Sequence, residues 1–420
     1  MDGKKESGGI VAPEECTAHD RRPMTDSRRE PMTDSVGQPA TDSPLLFAGS
    51  RRRDSGQPQR LRQLGVSLSL LFALSVASEL PAQSRPSSLR TDTLWAQSLG
   101  VRKSLVVYLP PSYSVSPARR YPVLVYLHGL TGNERNWSEQ GALGTTLDSL
   151  ARAGRGEAIV VMPDGDDGWY TTWNALSDPG CAADTVRKEK AATYCVPWLH
   201  YDDYIANDVV RYVDSHYRTR ATRDSRGIAG LSMGGYGAIT IALRYPHLFA
   251  AAASHSGVVS PRLIPSKPSP PMPYATDTIG MRAATGSLWK WMAPPFGRDT
   301  IAWLARDPGR MAERLVERRR IRGASFGVSR GASRRESGGV ARGTTRAPAT
   351  GTLAPRIPVL MLDCGTSDRF IDQNRDLHAT LTRLGVTHRY AEWPGDHNWA
   401  YWRAHAAESA AFLLEQLKAR

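Results

Sequence analysis

Ser232 stands between two glycines in Gly230-Leu231-Ser232-Met233-Gly234, after an apolar run at 227–231 and before Gly235-Tyr236-Gly237-Ala238. The pattern is a strand, a sharp turn and a helix with a serine at the turn. Small residues two places before and after it let the backbone turn tightly enough to leave the hydroxyl in the open. A serine hydroxyl is a weak nucleophile, so it needs a base, and the base needs an acid to orient it. The spacing points to covalent nucleophilic chemistry at Ser232.

In strand–turn–helix sites of this kind the acid and then the histidine follow the serine along the chain. His378, His388, His397 and His405 all lie beyond it. His378 and His405 fall in helical patterns and His388 enters a strand. His397, in Pro394-Gly395-Asp396-His397-Asn398-Trp399, lies in a loop just past a strand and is the expected base. For the acid, the strand at 359–362 runs into Asp363-Cys364-Gly365-Thr366-Ser367-Asp368. Asp368, deeper in the loop, has the reach to meet the far nitrogen of the imidazole. Asp363 at the strand edge is the second choice and Asp396 the third.

Nucleophilic attack on a carbonyl builds an oxyanion, and losing one donor to it costs roughly 10²–10³ in rate. One expected donor is the N–H of Met233. The other is the N–H of Leu130 in Tyr126-Leu127-His128-Gly129-Leu130-Thr131-Gly132, where Gly129 lets the chain turn inward. Trp137, Trp169, Tyr170, Trp173 and Trp399 fall in loops at the same predicted sheet edge. Trp137, Trp169, Tyr170 and Trp399 are the candidate substrate-binding rim, with core packing the alternative for each.

These groups need a frame. Runs at 122–127, 158–162, 227–231, 249–253, 359–362 and 389–393 read as strands, several apolar at consecutive positions as in a parallel sheet covered on both faces. Ile205, Val209, Val213 and Tyr217 share one face of a helix opened by Asp202 and Asp203, and Ala406, Ala410, Leu413 and Leu417 share another. The fold class is α/β, with helices on both faces of a mostly parallel sheet. Residues 261–295, rich in Pro and holding Trp289 and Trp291, are a candidate cap over the site. Residues 318–356 read as a disordered Arg/Gly/Ser-rich excursion.

The 420 residues carry a net charge of +13. Residues 1–60 are neutral, with ten basic and ten acidic side chains, while 314–346 hold ten Arg and two Glu. The excess therefore sits mostly in one stretch with no aromatic or Gly-rich RNA-binding motif interleaved, and it reads as a solvated basic loop rather than a nucleic-acid surface. Residues 1–62 read as a disordered polar leader with three copies of a short repeat around Thr-Asp-Ser, and the true start is expected within it. Arg51-Arg52-Arg53 and Arg60, the apolar stretch at 64–77 and then Leu80-Pro81-Ala82 form a secretory signal peptide over 63–82, cleaved after Ala82. An uncleaved anchor is the alternative. No apolar run reaches the roughly 18 residues of a membrane span, so no stable insertion is expected after cleavage. Of the four cysteines, Cys181 and Cys195 lie in one loop and fit a disulfide made in an oxidising compartment. No Cys/His spacing suggests a metal site, and no cofactor is expected.

Val106-Val107-Tyr108-Leu109-Pro110-Pro111, His128-Gly129-Leu130, Met162-Pro163-Asp164-Gly165, the Gly230 to Gly235 turn, Cys364-Gly365-x-x-Asp368 and Gly395-Asp396-His397-x-Trp399 occur in one order. Together they resemble the esterase D-like family of α/β-hydrolases, which includes feruloyl and acetyl xylan esterases, S-formylglutathione hydrolases, enterochelin esterases and mycolyltransferases. The resemblance runs from about residue 94 to 417. It implies Ser232 as nucleophile, His397 as base, Asp368 as acid and the Leu130 and Met233 N–H groups as oxyanion hole, with a small-molecule or polysaccharide-linked ester as substrate. The loop around Cys181 and Cys195 and the 318–356 stretch look longer than the family core, and a signal peptide argues against the cytosolic formylglutathione branch. The expected activity is that of a secreted or periplasmic serine carboxylic-ester hydrolase acting through an acyl-enzyme. An acyltransferase using a sugar hydroxyl and a non-catalytic glycan-binding scaffold are the alternatives.

Overall fold

The computed structural model describes residues 86–174, 195, 197–265, 273–332 and 356–418. The polar leader, the signal peptide and Cys181 lie outside the described residues. Eight strands form one sheet: β1 (Ser88–Ala96), β2 (Val101–Leu109), β3 (Val123–Leu127), β4 (Ile159–Pro163), β5 (Arg226–Leu231), β6 (Ala251–His255), β7 (Val359–Gly365) and β8 (His388–Trp393). Their spatial order is β1-β2-β4-β3-β5-β6-β7-β8. The β1–β2 and β2–β4 pairs are antiparallel, and from β4 to β8 every pair is parallel.

The consecutive apolar residues of β3, β4 and β5 are buried because both faces of the sheet are covered. Val123, Val125 and Leu127 join one core with the helix Met233–Arg244, while Leu124 and Tyr126 join a second with the C-terminal helix Trp399–Lys418. Ala406, Ala410, Leu413 and Leu417 are the buried stripe of that last helix, as their spacing predicts. The face of Ile205, Val209 and Val213 is likewise buried, on a helix that widens to π-type turns over Tyr204–Val209 before Val210–His216.

The differences from the sequence expectation have physical causes. β1 and β2 were not among the predicted strands, since β1 is an edge whose residues are mostly exposed and whose sequence is largely polar. β6 runs two residues past 253, because Ser254 and His255, polar as they are, sit fully buried in register with β7. The basic stretch expected to be a disordered excursion from residue 318 begins instead as helix, Pro308–Ala332. Pro308 suits a first helical turn, Asp307 accepts from the Arg310 N–H at 3.0 Å, and Arg and Ala are good helix formers. Residues 333–355 lie outside the described residues. In the candidate cap, the helices Thr278–Thr285 and Trp289–Phe296 bury Met281, Met292 and Phe296, and Trp289 stacks on Trp303.

At the C-terminal ends of β3 and β4, beside the N-terminal end of the antiparallel β2, a buried charge cluster holds the loops. Lys103 on β2 meets Asp164 at 2.6 Å and Asp166 at 2.8 Å, all three almost wholly enclosed. Burial works against the lysine charge, and the two carboxylates more than offset it, holding its pKa above the ordinary value. Burial and the charge of Asp164 push the Asp166 carboxyl up, while the Tyr201 hydroxyl donates to it at 2.5 Å. Gly165 N–H donates to His128 Nε2 (2.9 Å), so Nδ1 is left to donate to the Gly129 carbonyl (2.8 Å), and Thr131 N–H donates to Asp167 (2.6 Å). The His128–Gly132 turn is thereby tied to the β4 loop.

Two substitutions separate packing from charge. Leu413→Ala, which opens space beside Gly227 and Leu124, is expected to destabilise by about 2–5 kcal/mol. Lys103→Met leaves two buried carboxylates without their cation and is expected to destabilise by about 3–5 kcal/mol. Urea midpoints measure both; only the second loss should shrink as pH falls and a carboxylate takes up a proton.

Candidate active site

The turn after β5 is dictated by close approach. A Cβ on Gly230 would run into the Gly234 backbone, and one on Gly234 into the Leu127 and His128 carbonyls. With both positions free of side chains, the chain reverses at Ser232 with φ 52° and ψ −116°, a conformation that a non-glycine residue adopts only under constraint. Ser232 N–H donates to the His255 carbonyl at 2.9 Å, and the helix Met233–Arg244 starts at the next residue.

His397 lies in the loop after β8. Its Nε2 is 3.0 Å from Ser232 Oγ and its Nδ1 is 2.8 Å from Asp368 Oδ2. Phe370 and Trp402 meet the imidazole edge-to-face, both at 4.9 Å between ring centres, which fixes the plane of the ring. Asp368 is buried in the loop after β7. Burial by itself would raise its carboxyl, but the His397 hydrogen bond and charge and the Phe370 N–H (2.8 Å) hold it below the usual carboxylate range. Ser232, His397 and Asp368 thus form one hydrogen-bonded line.

The other acids have different work. Asp363 faces the fully buried His255 at 2.7 Å and accepts from the Tyr401 hydroxyl at 3.0 Å, bracing β6 against β7 and the last helix. Asp396 accepts from the His397 N–H at 2.7 Å. His378 and His388 bond to each other at 2.8 Å, and His405 stacks on Trp393.

A cavity of about 400 Å³ opens over Ser232, lined among others by Gly129, Leu130, Thr131, Trp169, His397 and Trp399. A Cβ on Gly129 would come within 3.5 Å of Ser232 Cβ, so the Gly129–Leu130 turn lies against the serine. Met233 is buried at the first helical position. Of the four aromatic residues expected at the rim, Trp169 and Trp399 line this cavity. Trp137 and Tyr170 do not. Trp137 is packed between Tyr126, His255 and Trp399 with its indole N–H on the Leu127 carbonyl (2.9 Å), and Tyr170 donates to the His128 carbonyl (3.1 Å). Each needs its polar tip satisfied in the core, and a backbone carbonyl does it.

Sequence reasoning missed Asn136, Gln140, Leu288, Arg369 and Trp402, which also line the cavity. Trp402 follows Trp399 by one helical turn, a signal that was available; Leu288 and Arg369 carried none. Among the described residues, no group of three or more His, Cys, Asp or Glu could hold a metal ion. Cys195 is disulfide-bonded.

The family model described as "Putative esterase" matches residues 96–413. Esterase Rv1288 of Mycobacterium tuberculosis (strain ATCC 25618 / H37Rv) is 33% identical over 166 residues, 39% of this chain and 31% of that protein. An endo-1,4-beta-xylanase/feruloyl esterase of Xylanibacter ruminicola is 28% identical over 160 residues, 37% of this chain and 20% of that protein. The chain therefore spans less than a third of the length of these curated relatives. Among solved structures, a ferulic acid esterase superposes with a TM-score of 0.53 at 21% identity, covering 79% of this chain and 99% of the other. An S-formylglutathione hydrolase from Agrobacterium tumefaciens does so with 0.52 at 17% identity, covering 79% and 96%. The sheet order, the helices on both faces and these superpositions are those of the α/β-hydrolase fold, and the chain belongs to the putative esterase family.

Proposed function

We propose that the protein is a serine carboxylic-ester hydrolase working through an acyl-enzyme. The observation that carries this reading is the line Ser232–His397–Asp368, at 3.0 and 2.8 Å, at the floor of an open cavity. In this mechanism His397 Nε2 takes the proton of Ser232 Oγ as the oxygen attacks the ester carbonyl, and Asp368 holds the imidazole with Nδ1 protonated and steadies its positive charge. The N–H groups of Leu130 and Met233 receive the oxyanion. His397 then gives its proton to the departing alcohol, and a water activated by the same imidazole releases the acid.

Export is part of the proposal. The basic, apolar and small-residue order ahead of Gln83 supports it, as does the disulfide at Cys195, a bond that persists in oxidising compartments. Among the described residues no helix is long and apolar enough to cross a membrane.

Ser232→Ala is expected to abolish turnover of short-chain p-nitrophenyl esters and labelling by a fluorophosphonate, with the circular dichroism spectrum retained. Full activity in that variant would remove the serine from the mechanism. Asp368→Asn, which favours the wrong imidazole tautomer, is expected to lower kcat by about 10⁴ while KM changes little. N-terminal sequencing of protein recovered outside the cytoplasm is expected to begin at Gln83.

A further inference from the structure

The cavity over Ser232 has an unusual charge balance. Among the described residues no Asp or Glu lines it, and beside His397 the one ionisable side chain of that lining is Arg369. The guanidinium of Arg369 rests on the Phe370 ring, 4.8 Å from its centre, and Phe370 in turn meets the His397 imidazole. Other arginines of the C-terminal region are paired: Arg375 with Glu392 at 2.7 Å, Arg383 with Glu313 at 2.9 Å and Arg389 with Glu415 at 3.0 Å. Arg369 has no carboxylate partner among the described residues.

Arg369 and Leu288 also form a wall shared with a second cavity of about 230 Å³, lined by Leu263, Ala284, Phe370 and Asp372 among others. The second chamber holds an acid, Asp372, which Arg375 approaches at 3.4 Å; among the described residues the Ser232 chamber holds none. Among the described residues, a negatively charged group therefore meets an unopposed cation on the Ser232 side of that wall. Gln140 and Thr131 in the same lining add neutral polar groups that do not repel it.

We infer that Arg369 is a specificity-determining residue that receives an anionic group, a carboxylate, carried by the ester a few atoms from its scissile carbonyl. This rests on the hydrolase reading above and names its substrate class. A guanidinium takes a carboxylate through two parallel N–H donors, and stacking on Phe370 keeps the side chain in place for it.

Two matched pairs of esters test the inference. On the acyl side, p-nitrophenyl hemisuccinate is compared with p-nitrophenyl 4-methylpentanoate, its neutral isostere. On the alcohol side, 4-acetoxybenzoate is compared with its methyl ester. The readout is the ratio of kcat/KM for the charged member over the neutral one. In Arg369→Met that ratio is expected to fall about 10-fold or more in at least one pair relative to the unaltered protein, the size of a charged hydrogen bond. Arg369→Lys is expected to recover part of it, and which pair responds tells on which side of the ester the anion sits. Ratios that Arg369→Met leaves unmoved in both pairs overturn the inference, as does an equal fall for charged and neutral members. Turnover of no ester by the unaltered protein, with no fluorophosphonate label on Ser232, defeats the hydrolase reading itself and is told apart from a failure confined to Arg369.

Discussion

Three chain segments approach one another more closely here than any side chain allows. Gly234 touches the end of β3 at the Leu127 and His128 carbonyls, Gly230 touches Gly234, and Gly235 lies against Ser254 and Gly257 after β6. The contact locks the ends of β3, β5 and β6 into one piece, and the positive φ of Ser232 is its geometric result. Strain of this kind, of order 1–3 kcal/mol for one residue, persists only where the surroundings over-determine it. The same contact sets how near the Gly129–Leu130 turn comes to the serine oxygen. Reach between the two is built into the backbone rather than left to a rotamer.

Electrostatics completes what packing begins. The loop carrying Gly129 and Leu130 is tied to the β4 loop that Lys103, Asp164 and Asp166 hold, through the Gly165 N–H on His128 and the Thr131 N–H on Asp167. Thr131, Asp166, Trp169 and Tyr170 all have positive φ, so strain gathers on this side of the cavity. A lysine enclosed with two carboxylates is a poor way to gain stability, and its place beneath the turn suggests rigidity there as its use. The imidazole is held differently, by the edges of Phe370 and Trp402 and by one buried carboxylate.

The centre of the fold was legible in the sequence because parallel strands buried on both faces are apolar at every position, and 122–127, 158–162 and 227–231 show this plainly. Ser232 was legible through its glycines, whose types follow from the close contacts, and His397 and Asp368 through their places in loops after strands. The edge strand β1 was not, since it has little apolar surface to bury, whereas the other edge, β8, showed in the run 389–393. Aromatic residues deceived: Trp137 and Tyr170 sit near the same edge as Trp399, yet spacing along the chain does not say whether a ring faces solvent or a neighbouring strand. Arg369 was invisible for a related reason. One arginine beside an aspartate carries no pattern, and its meaning comes from a lining that, among the described residues, lacks any acid.

The order of strands has a consequence for how such a protein can change. Serine, carboxylate and imidazole follow β5, β7 and β8, strands stitched through β6, whereas the chain leaves the sheet after His255 and re-enters it at Val359, with His255 in register beside Asp363. Leu288 reaches the cavity from that excursion, but Ser232, Asp368 and His397 all lie outside it. Past Gly257 and Val258, which pack against the Ser232 turn, this excursion can vary in length and composition without moving Ser232, Asp368 or His397. The sheet acts as a fixed socket, and selectivity can be exchanged like a fitting.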